Sequence, residues 1–361
     1  MKKWVFLITA ISLLLLTCFT TVPTIANETN PIKGGNVIYV DDDSPSPGNG
    51  SIEWPYSKIE YAIQNSTDGD TINVYSGSYL GYYTIEFQKY VSIIGNSSKN
   101  TFISSTSGDV CFYIGHSENI LIKNFTFQNI GPVIPSVSIA SLDSSYVNIE
   151  KCVIDNSEYG ICFHTTDNST AKNCTLKNMI IDGILISQYA NNNKVLNCEI
   201  FNCGEYGIHL ISSSKNLIKG NTIKNNKKDG IHLISGSNEN IITCNHIEGN
   251  HRYGIGFGNI WDIVLKAFSR SKNNIIYKNN FYDNGRIPRI FNGFELFTLI
   301  YKNYWYNGTV GNYWHNSIYT KLPRLYDPDG DGICNRPYFI FFIRRDKYPL
   351  MEPVEINSNN I

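Results

Sequence analysis

Two copies of one pattern lie within residues 205–250, which read EYGIHLISSSKNLIKGNTIKNNKKDGIHLISGSNENIITCNHIEGN. The pentapeptide Gly-Ile-His-Leu-Ile begins at Gly207 and again at Gly230. The same Gly-Ile pair recurs every 23 or 24 residues, at Gly160, Gly183 and Gly254 as well. A constant period of this length predicts a solenoid, in which each repeat is one coil and residues one period apart lie above one another.

Apolar and polar residues alternate within each repeat, as β-strands require. Ile208 and Leu210 are expected on one face of a strand and His209 on the other. A second apolar series follows nearly the same period: Phe127, Ile154, Leu176, Ile200, Ile223, Ile247, Phe281 and Trp305. No helix-length amphipathic stretch separates the strands, which excludes an α/β fold. The sequence therefore predicts an all-β, right-handed parallel β-helix formed by a single chain.

Asparagines recur at two positions of the repeat. One series follows the apolar positions by two residues: Asn129, Asn156, Asn178, Asn202 and Asn225. The other precedes them by seven: Asn193, Asn216, Asn240 and Asn274. Because stacked strands lie about 4.8 Å apart, an asparagine in each coil can pass its amide hydrogen bond to the asparagine of the next. Both series are predicted to form such ladders.

The ends of the chain differ from the repeat. Residues 1–26 contain Lys2 and Lys3, an apolar run and small residues near Ala26, which predicts a secretory signal peptide and an exported protein. We expect residues 27–70 to form an N-terminal segment with a short cap helix between Pro55 and Asn65. Residues 71–322 are expected to form the coils. Residues 323–361 are expected to form a C-terminal cap with an Asp-rich loop.

Composition narrows the range of partners. The formal net charge is −1, which is too small to attract nucleic acid by field alone. No apolar run is long enough to predict a transmembrane helix. Charged residues make up only 17% of the chain, whereas tyrosine occurs 24 times. An aromatic, amide-rich surface suits a glycan or another envelope polymer.

Several motifs outside the repeats resemble those of the NosD-type β-helix proteins, named for a periplasmic copper-binding accessory of nitrous oxide reductase. The motifs are Ile38-Tyr39-Val40-Asp41-Asp42-Asp43, Gly69-Asp70-Thr71-Ile72, Gly311-Asn312-Tyr313-Trp314, Asp329-Gly330-Asp331-Gly332-Ile333 and Tyr348-Pro349-Leu350-Met351-Glu352-Pro353. The resemblance covers nearly the whole chain after the signal peptide. It implies the β-helix fold and a possible role in copper-enzyme maturation, although similar domains also occur in surface and carbohydrate-active proteins.

Tyrosine and aspartate alternate immediately before the repeat glycines: Tyr159, Asp182, Tyr206, Asp229 and Tyr253. Tyrosines can stack on sugar rings, so this edge is a candidate ligand-binding site. Aspartates two coils apart are separated by about 9.6 Å, near the separation that inverting glycosidases use. The other interpretation is that these are ordinary polar turn residues. The repeats lack both the carboxylate cluster of calcium-dependent lyases and an Asp-Pro-His-Glu motif.

Three groups could bind metal. His209 and His232 occupy equivalent positions of neighbouring coils, where two imidazoles could share a copper or zinc ion, or could simply be repeated surface residues. Cys152, Cys174 and Cys198 form an inward column, which suits either copper(I) or small buried side chains. Asp327, Asp329 and Asp331, followed by Gly332, match the first half of a calcium loop, although its twelfth position is Tyr338.

Alternation also places Leu185, Ile211 and Ile234 outward. Either the apolar insertion around Trp261 covers this row, or the row lines a groove for an extended ligand. From these features we expect an exported, non-catalytic protein that binds a glycan or another envelope polymer. The alternatives are a copper-binding accessory protein for metalloenzyme maturation and a polysaccharide lyase or glycoside hydrolase.

Overall fold

The computed structural model describes residues 35–87, 90–105, 110–130, 136–258, 271–285, 303–315, 327–341 and 344–356. All of them fall in one compact unit, Gly34–Ile361. The predicted signal peptide, residues 1–26, and the predicted insertion around Trp261 lie outside these ranges.

One helix and thirty strands make up the described part of the chain. The helix, α1, spans Ile59–Asn65. The strands are β1 Val37–Val40, β2 Thr71–Val74, β3 Gly77–Leu80, β4 Tyr83–Glu86, β5 Ser92–Gly95, β6 Thr101–Ser105, β7 Phe112–Gly115, β8 Leu121–Lys123, β9 Thr126–Ile130, β10 Val137–Leu142, β11 Asn148–Glu150, β12 Val153–Asp155, β13 Tyr159–His164, β14 Thr170–Lys172, β15 Thr175–Lys177, β16 Asp182–Ser187, β17 Lys194–Leu196, β18 Glu199–Phe201, β19 Ile208–Ile211, β20 Leu217–Lys219, β21 Thr222–Lys224, β22 Ile231–Ile234, β23 Ile241–Thr243, β24 His246–Glu248, β25 Ile255–Phe257, β26 Ile275–Tyr277, β27 Asn280–Tyr282, β28 Tyr313–Trp314, β29 Tyr338–Phe341 and β30 Arg344–Asp346.

Three parallel sheets run along the solenoid. Among the described residues, sheet 1 has ten strands in the order β1-β2-β5-β8-β11-β14-β17-β20-β23-β26. Sheet 2 has eight, β4-β7-β10-β13-β16-β19-β22-β25, and sheet 3 has ten, β3-β6-β9-β12-β15-β18-β21-β24-β27-β28. Each coil contributes one strand to each sheet, so the chain forms the predicted right-handed parallel β-helix. The pair β29-β30 is a separate antiparallel hairpin.

Residues one repeat apart are stacked as predicted. In sheet 2, Ile184 pairs with Ile208 and Ile231 pairs with Ile255. In sheet 3, Ile200 pairs with Leu176 on one side and with Ile223 on the other. These side chains are fully buried and form one continuous core along the solenoid. Both apolar series therefore mark core columns.

The last member of the second apolar series, Trp305, is buried in the core as predicted, but its predicted place in the column is wrong. Trp314, and not Trp305, lies against Phe281 in sheet 3, with ring centroids 4.5 Å apart and planes at 13°. Trp305 follows Tyr304, which bridges to Ile275 in sheet 1. Counting a fixed period from Phe281 fails because the chain between these two residues is longer than one ordinary coil.

Buried asparagines form three hydrogen-bonded ladders. In the predicted ladder, the side-chain amide of Asn216 donates to Asn240 Oδ1 at 3.1 Å, and that of Asn240 donates to Asn274 Oδ1 at 2.9 Å. Two further ladders were not predicted. They are Asn221-Asn245-Asn279-Asn312 and Asn226-Asn250-Asn284. In each ladder the side-chain oxygen also accepts the backbone N–H of the asparagine in the preceding coil, so polar turns are satisfied inside the solenoid.

The other predicted ladder has a different role. Asn156, Asn178, Asn202 and Asn225 do form a column, but their side chains are exposed. Their φ angles lie between 57° and 62°, in the left-handed region that asparagine tolerates better than most residues. Along this column one amide contact between neighbours, Asn202 to Asn178, is present at 3.5 Å. The asparagines of this series therefore stabilise a left-handed backbone turn in each coil, and they do not form a continuous amide ladder.

The N-terminal end carries the predicted helix, shortened at its start to Ile59. Ile59, Ala62 and Ile63 are buried against the first coils. The proposed boundaries of the coils and of the C-terminal cap remain predictions. No helix in the described ranges is long and apolar enough to span a membrane.

Candidate functional site

Two sets of residues that were predicted separately come together on the outer face of sheet 2. The Tyr/Asp edge lies beside the outward-facing column that contains His209 and His232, which are direct partners in the sheet register. We call the resulting group the His–Asp cluster. It consists of Asp182, Tyr206, His209, Asp229, His232 and Arg252.

Asp182 orients His209 across two neighbouring coils. Its Oδ2 lies 3.0 Å from Nδ1 of His209, and its Oδ1 accepts the backbone N–H of Tyr206 at 3.1 Å. Asp182 is 2% exposed and His209 is 9% exposed. With Nδ1–H donated to the carboxylate, the lone pair of the neutral imidazole resides on Nε2. That Nε2 is buried and has no hydrogen-bond partner among the described residues.

Asp229 forms a second pair, with His232 of its own coil. Nδ1 of His232 lies 2.7 Å from Oδ2 of Asp229, although the approach does not have the angle of a hydrogen bond. Arg252 of the next coil donates to both carboxylate oxygens, Nε to Oδ1 at 2.8 Å and Nη2 to Oδ2 at 2.6 Å. Burial acts to raise the pKa of Asp229, but the Arg252 guanidinium outweighs it and holds that pKa below its ordinary value.

The second pair depends on a glycine in the following coil. Gly256 lies directly above His232 in the sheet register. A Cβ at this position would lie 2.1 Å from Oδ2 of Asp229 and 2.8 Å from Nδ1 of His232. A side chain here would therefore displace the carboxylate. Burial lowers the pKa of His232 to about 4, so this imidazole is neutral at neutral pH.

Tyr206 lies between the two pairs. Its ring stacks on His232 with centroids 4.4 Å apart and planes at 4°, and its centroid lies 4.5 Å from that of His209. Lys228 Nζ and the Arg252 guanidinium lie 5.2 and 5.8 Å from the centre of the same ring. Burial raises the pKa of Tyr206, so its hydroxyl keeps its proton.

The predicted ligand-binding tyrosines are less open than the sequence suggested. Tyr159 is 8% exposed and Tyr253 is 1% exposed, and Asp229 is completely buried. His209 and His232 lie on the outer face of the sheet as predicted but are also buried. The cluster is thus a shielded polar site and not an open aromatic row.

The outward apolar row continues beside this cluster. Leu185 pairs with His209, and Ile211 pairs with Ile234. Leu185 and Ile211 are half-buried, whereas Ile234 is buried. Whether the insertion around Trp261 covers this row remains a prediction, because that segment lies outside the described residues.

The predicted metal ligands fall into three separate places. His209 and His232 have ring centroids 5.4 Å apart, and in the described part of the chain no third His, Cys, Asp or Glu joins them as a compact ligand group. The carboxylate oxygens of Asp327, Asp329 and Asp331 do lie within 4.8 Å of one another. A metal at the two histidines or at the three aspartates remains a prediction.

The cysteine column occupies the position of an asparagine ladder. The thiols of Cys174 and Cys198 point to the carbonyl oxygens of Ile149 and Ala171, at 3.5 and 3.6 Å. In the next coil the amide of Asn221 makes the equivalent contact to Val195 at 2.9 Å. The arrangement agrees with the interpretation of these cysteines as small buried side chains.

Sequence reasoning missed the pairing of the two columns and the part played by Arg252. The period places residues of one column above each other, but it does not say which columns turn towards each other. A signal was present: Asp229 and His232 are three residues apart around a glycine, and Asp182 precedes His209 by 27 residues, one coil plus three.

Comparisons with known proteins support the fold. Residues 110–260 match the family described as "Right handed beta helix region". No curated protein matches the chain. Among solved structures, the chain is similar to pectate lyase Pel9A, with 12% identity, a TM-score of 0.54, and coverage of 73% of this chain and 80% of that one.

Two further structures show the same similarity. An alginate lyase from Paenibacillus sp. str. FPU-7 has 12% identity, a TM-score of 0.51, and coverage of 64% of this chain and 86% of that one. The catalytic unit of a thermostable α-1,3-glucanase from Streptomyces thermodiastaticus strain HF3-3 has 16% identity, a TM-score of 0.55, and coverage of 70% and 48%. At these identities the similarity establishes the fold alone.

Proposed function

We propose that this chain is an exported β-helix protein that binds a glycan along the outer face of sheet 2, at the His–Asp cluster. The observation that carries the proposal is the buried Nε2 of His209, an acceptor without a hydrogen-bond partner in the described structure. Leaving a buried polar atom unsatisfied costs about 1 to 3 kcal/mol, so a ligand hydroxyl that donates to this atom would gain affinity.

The surroundings of His209 suit a sugar. Nε2 can accept a hydrogen bond from a sugar hydroxyl, and the protonated phenol of Tyr206 can donate one. Leu185 and Ile211 offer half-buried apolar surface beside the cluster, against which the C–H face of a pyranose ring can pack. The cluster extends over neighbouring coils of the sheet, since Asp182, His209 and His232 belong to three successive coils, which favours an extended polymer over a small molecule.

The similar structures agree with this partner class. Their printed names describe a pectate lyase, an alginate lyase and an α-1,3-glucanase, all proteins that act on polysaccharides. The predicted signal peptide would place this chain outside the cytoplasm, where such polymers occur.

Calorimetric titration of the mature protein with oligosaccharides from pectate, alginate and α-1,3-glucan tests the proposal. We expect at least one of them to bind, and the Tyr206→Ala variant to bind it at least tenfold more weakly. His246→Ala is the matched control, because His246 is a half-buried ring paired with Glu248 in sheet 3, far from the cluster in the register. Absence of binding to all three polymers, or an equal loss in the control, would contradict the proposal.

The NosD-type resemblance motivates a copper-accessory role as the alternative. The two carboxylate-backed imidazoles, His209 and His232, are the residues that would be examined first for it. A copper(I) titration monitored by a competing chelator distinguishes this role, since the glycan proposal requires no metal at these histidines.

A further inference from the structure

The outer face of sheet 1 carries an apolar column in its C-terminal half. Leu217, Ile241, Ile275 and Tyr304 occupy one register position in four successive coils. Ile241 is 38% exposed and Tyr304 is 40% exposed, while Leu217 and Ile275 are half-buried. In the three preceding coils the same position holds polar residues, which are Asn148, Thr170 and Lys194. The apolar column is therefore a local feature of this part of the sheet.

Two more side chains extend this surface. Leu196 and Tyr277 belong to the neighbouring outward column, and both are half-buried. We call the six residues the sheet 1 patch: Leu196, Leu217, Ile241, Ile275, Tyr277 and Tyr304. Because stacked strands lie about 4.8 Å apart, the four coils of the apolar column span about 14 Å. An uncovered apolar surface with a polar border indicates a binding surface.

Lysines form that border. Lys194 and Lys219 lie on the same face of sheet 1, and Lys215 and Lys278 lie in the adjoining turns. Lys194 and Lys215 are exposed, and the other two are half-buried. Among the described residues, no carboxylate forms an ion pair with any of these four lysines. Elsewhere on the solenoid lysines do form pairs: Lys123 with Glu150, Lys177 with Asp155 and Lys224 with Glu199.

The positive charge at the sheet 1 patch acts locally. Glu239 lies beside Lys215 in the same turn column and offsets one of the four lysines. Four lysines less one glutamate leave an excess of positive charge here, although the whole chain has a net charge of −1. At physiological ionic strength the Debye length is about 8 Å, so charges on the other faces are largely screened from a partner that contacts this one.

We propose that the sheet 1 patch docks the protein on a surface of anionic lipids. Exposed aliphatic side chains can enter the boundary between headgroups and acyl chains, and tyrosine rings prefer that depth. The aliphatic stems of the lysines can lie along the same boundary while their ammonium groups reach the lipid phosphates. Stable attachment to a membrane surface takes two signals, and the patch offers an apolar one and a basic one.

Other occupants fit the sheet 1 patch less well. A second copy of the chain would bring the same lysines against each other. A folded protein partner needs about 800 Å² on each side for a stable interface, whereas the patch spans about 14 Å by roughly 7 Å. An uncharged glycan would leave the lysines without a counter-charge. An anionic lipid surface meets both the apolar and the basic part.

This attachment is independent of the proposed glycan binding. Each coil contributes separate strands to sheet 1 and to sheet 2. A protein that rests on sheet 1 therefore keeps the outer face of sheet 2, with the His–Asp cluster, available to its ligand. The predicted signal peptide would carry the chain across a membrane, whose outer surface then lies nearby.

Co-sedimentation with lipid vesicles tests the inference. The mature protein is mixed with vesicles of phosphatidylcholine alone or of equal parts phosphatidylcholine and phosphatidylglycerol. We expect binding to the anionic vesicles to be tighter by about tenfold or more, and we expect high salt to weaken it. Equal binding to both kinds of vesicle, or no binding to the anionic ones, would overturn the inference.

A pair of double variants tests the lysines. Lys194→Gln with Lys219→Gln should weaken binding to the anionic vesicles by about tenfold or more, because one lysine near such a surface contributes about fivefold. Lys177→Gln with Lys224→Gln is the matched control, since it removes the same charge from sheet 3. An equal loss in the control would mean that overall charge, and not the patch, attracts the vesicles.

A single variant tests the apolar part. Ile241→Ser should weaken binding by about threefold or more, because less apolar surface enters the lipid. The control is Ile180→Ser, which removes a 54% exposed isoleucine from the turn between sheets 3 and 2. Melting temperatures show whether each variant is folded. If soluble polyglutamate displaced the protein at the same charge concentration as anionic vesicles, the partner would be an acidic polymer and the lipid inference would be wrong.

Discussion

Asp346 accepts the backbone N–H of Asn312 at 2.6 Å, in the position that the asparagine of a further coil would occupy. The same carboxylate accepts Trp314 Nε1 at 3.0 Å and the backbone N–H of Tyr348 at 3.1 Å. It is completely buried. The ladder Asn221-Asn245-Asn279-Asn312 thus ends on an acidic side chain from the C-terminal hairpin.

Burial raises the pKa of Asp346 to about 7. The hydrogen bonds that Asn312, Trp314 and Tyr348 donate to the carboxylate lower this pKa, but burial has the larger effect. Because the folded protein then binds a proton that the unfolded chain releases, stability should fall as the pH rises from about 4 to about 7, by roughly 4 kcal/mol. Asp346→Asn should flatten this dependence. Urea unfolding at several pH values measures it, with the exposed Glu53→Gln as control. Equal slopes in wild type and Asp346→Asn would show that this carboxyl ionises normally.

Asn245 occupies the middle of the same ladder and is completely buried. Its Oδ1 accepts the backbone N–H and the side-chain amide of Asn221, so Asn245→Ala leaves two buried donors unsatisfied. We expect a loss of about 3 kcal/mol in the free energy of unfolding. Asn225→Gly is the matched control and should change it by less than about 1 kcal/mol, because Gly249 already occupies this exposed left-handed column in the next coil. Similar losses in both variants would mean that the ladder does not stabilise the fold.

Arg252 neutralises the buried Asp229. Arg252→Gln should destabilise the protein at neutral pH by about 3 kcal/mol, because an uncompensated buried charge remains. Arg252 lowers the pKa of Asp229, so this pKa should rise in the variant. Acidification should therefore neutralise Asp229 in the variant and restore part of the variant's stability. The wild type should instead lose the stabilising contribution of the Asp229–Arg252 pair at low pH. Lys228→Gln provides the control, since its partner Glu205 is less buried. Thermal melts of the wild type and of Arg252→Gln at pH 5 and pH 7 test this expectation. It would be contradicted if the variant were no more stable at pH 5 than at pH 7.

The Asp327 loop remains a sequence-based calcium prediction. Asp327 Oδ1 and Oδ2 accept the backbone N–H groups of Gly330 and Gly332, which shapes the loop. Millimolar calcium should raise the melting temperature by mass action, and Asp329→Asn should reduce the rise. The same concentration of magnesium is the control for nonspecific screening of surface charges by a divalent cation. An unchanged melting temperature with calcium would remove this site from consideration.

The coil architecture was predictable because the Gly160 and Ile154 series share nearly one period, which indicates stacked coils, and the alternation within each repeat indicates β-strands. The assignment of Trp305 was not, because the position of a residue after an insertion of unknown length cannot be counted from the period. The ladder from Asn221 was missed for a related reason: its first coils carry Cys152, Cys174 and Cys198, so the column changes residue type partway along the chain. A search by position instead of by residue type would have found it.

The candidate site was predicted in its parts and not as a whole. The sequence marked the Tyr/Asp edge and the two histidines, but it expected them to be exposed. The pairing of Asp182 with His209 depends on how two columns turn towards each other, which is a property of the coil's cross-section. The contribution of Arg252 depends on the same geometry.

Within each asparagine ladder the side-chain oxygen accepts from the asparagine of the coil before, and the amide nitrogen donates to the asparagine of the coil that follows and also to a backbone carbonyl of the coil before. Each ladder therefore has a direction along the solenoid. A coil that continued a ladder past its C-terminal member would have to offer acceptors, as Asp346 does after Asn312, whereas a coil placed before its first member would have to offer donors. Any fusion or shortened version of this protein should respect that direction.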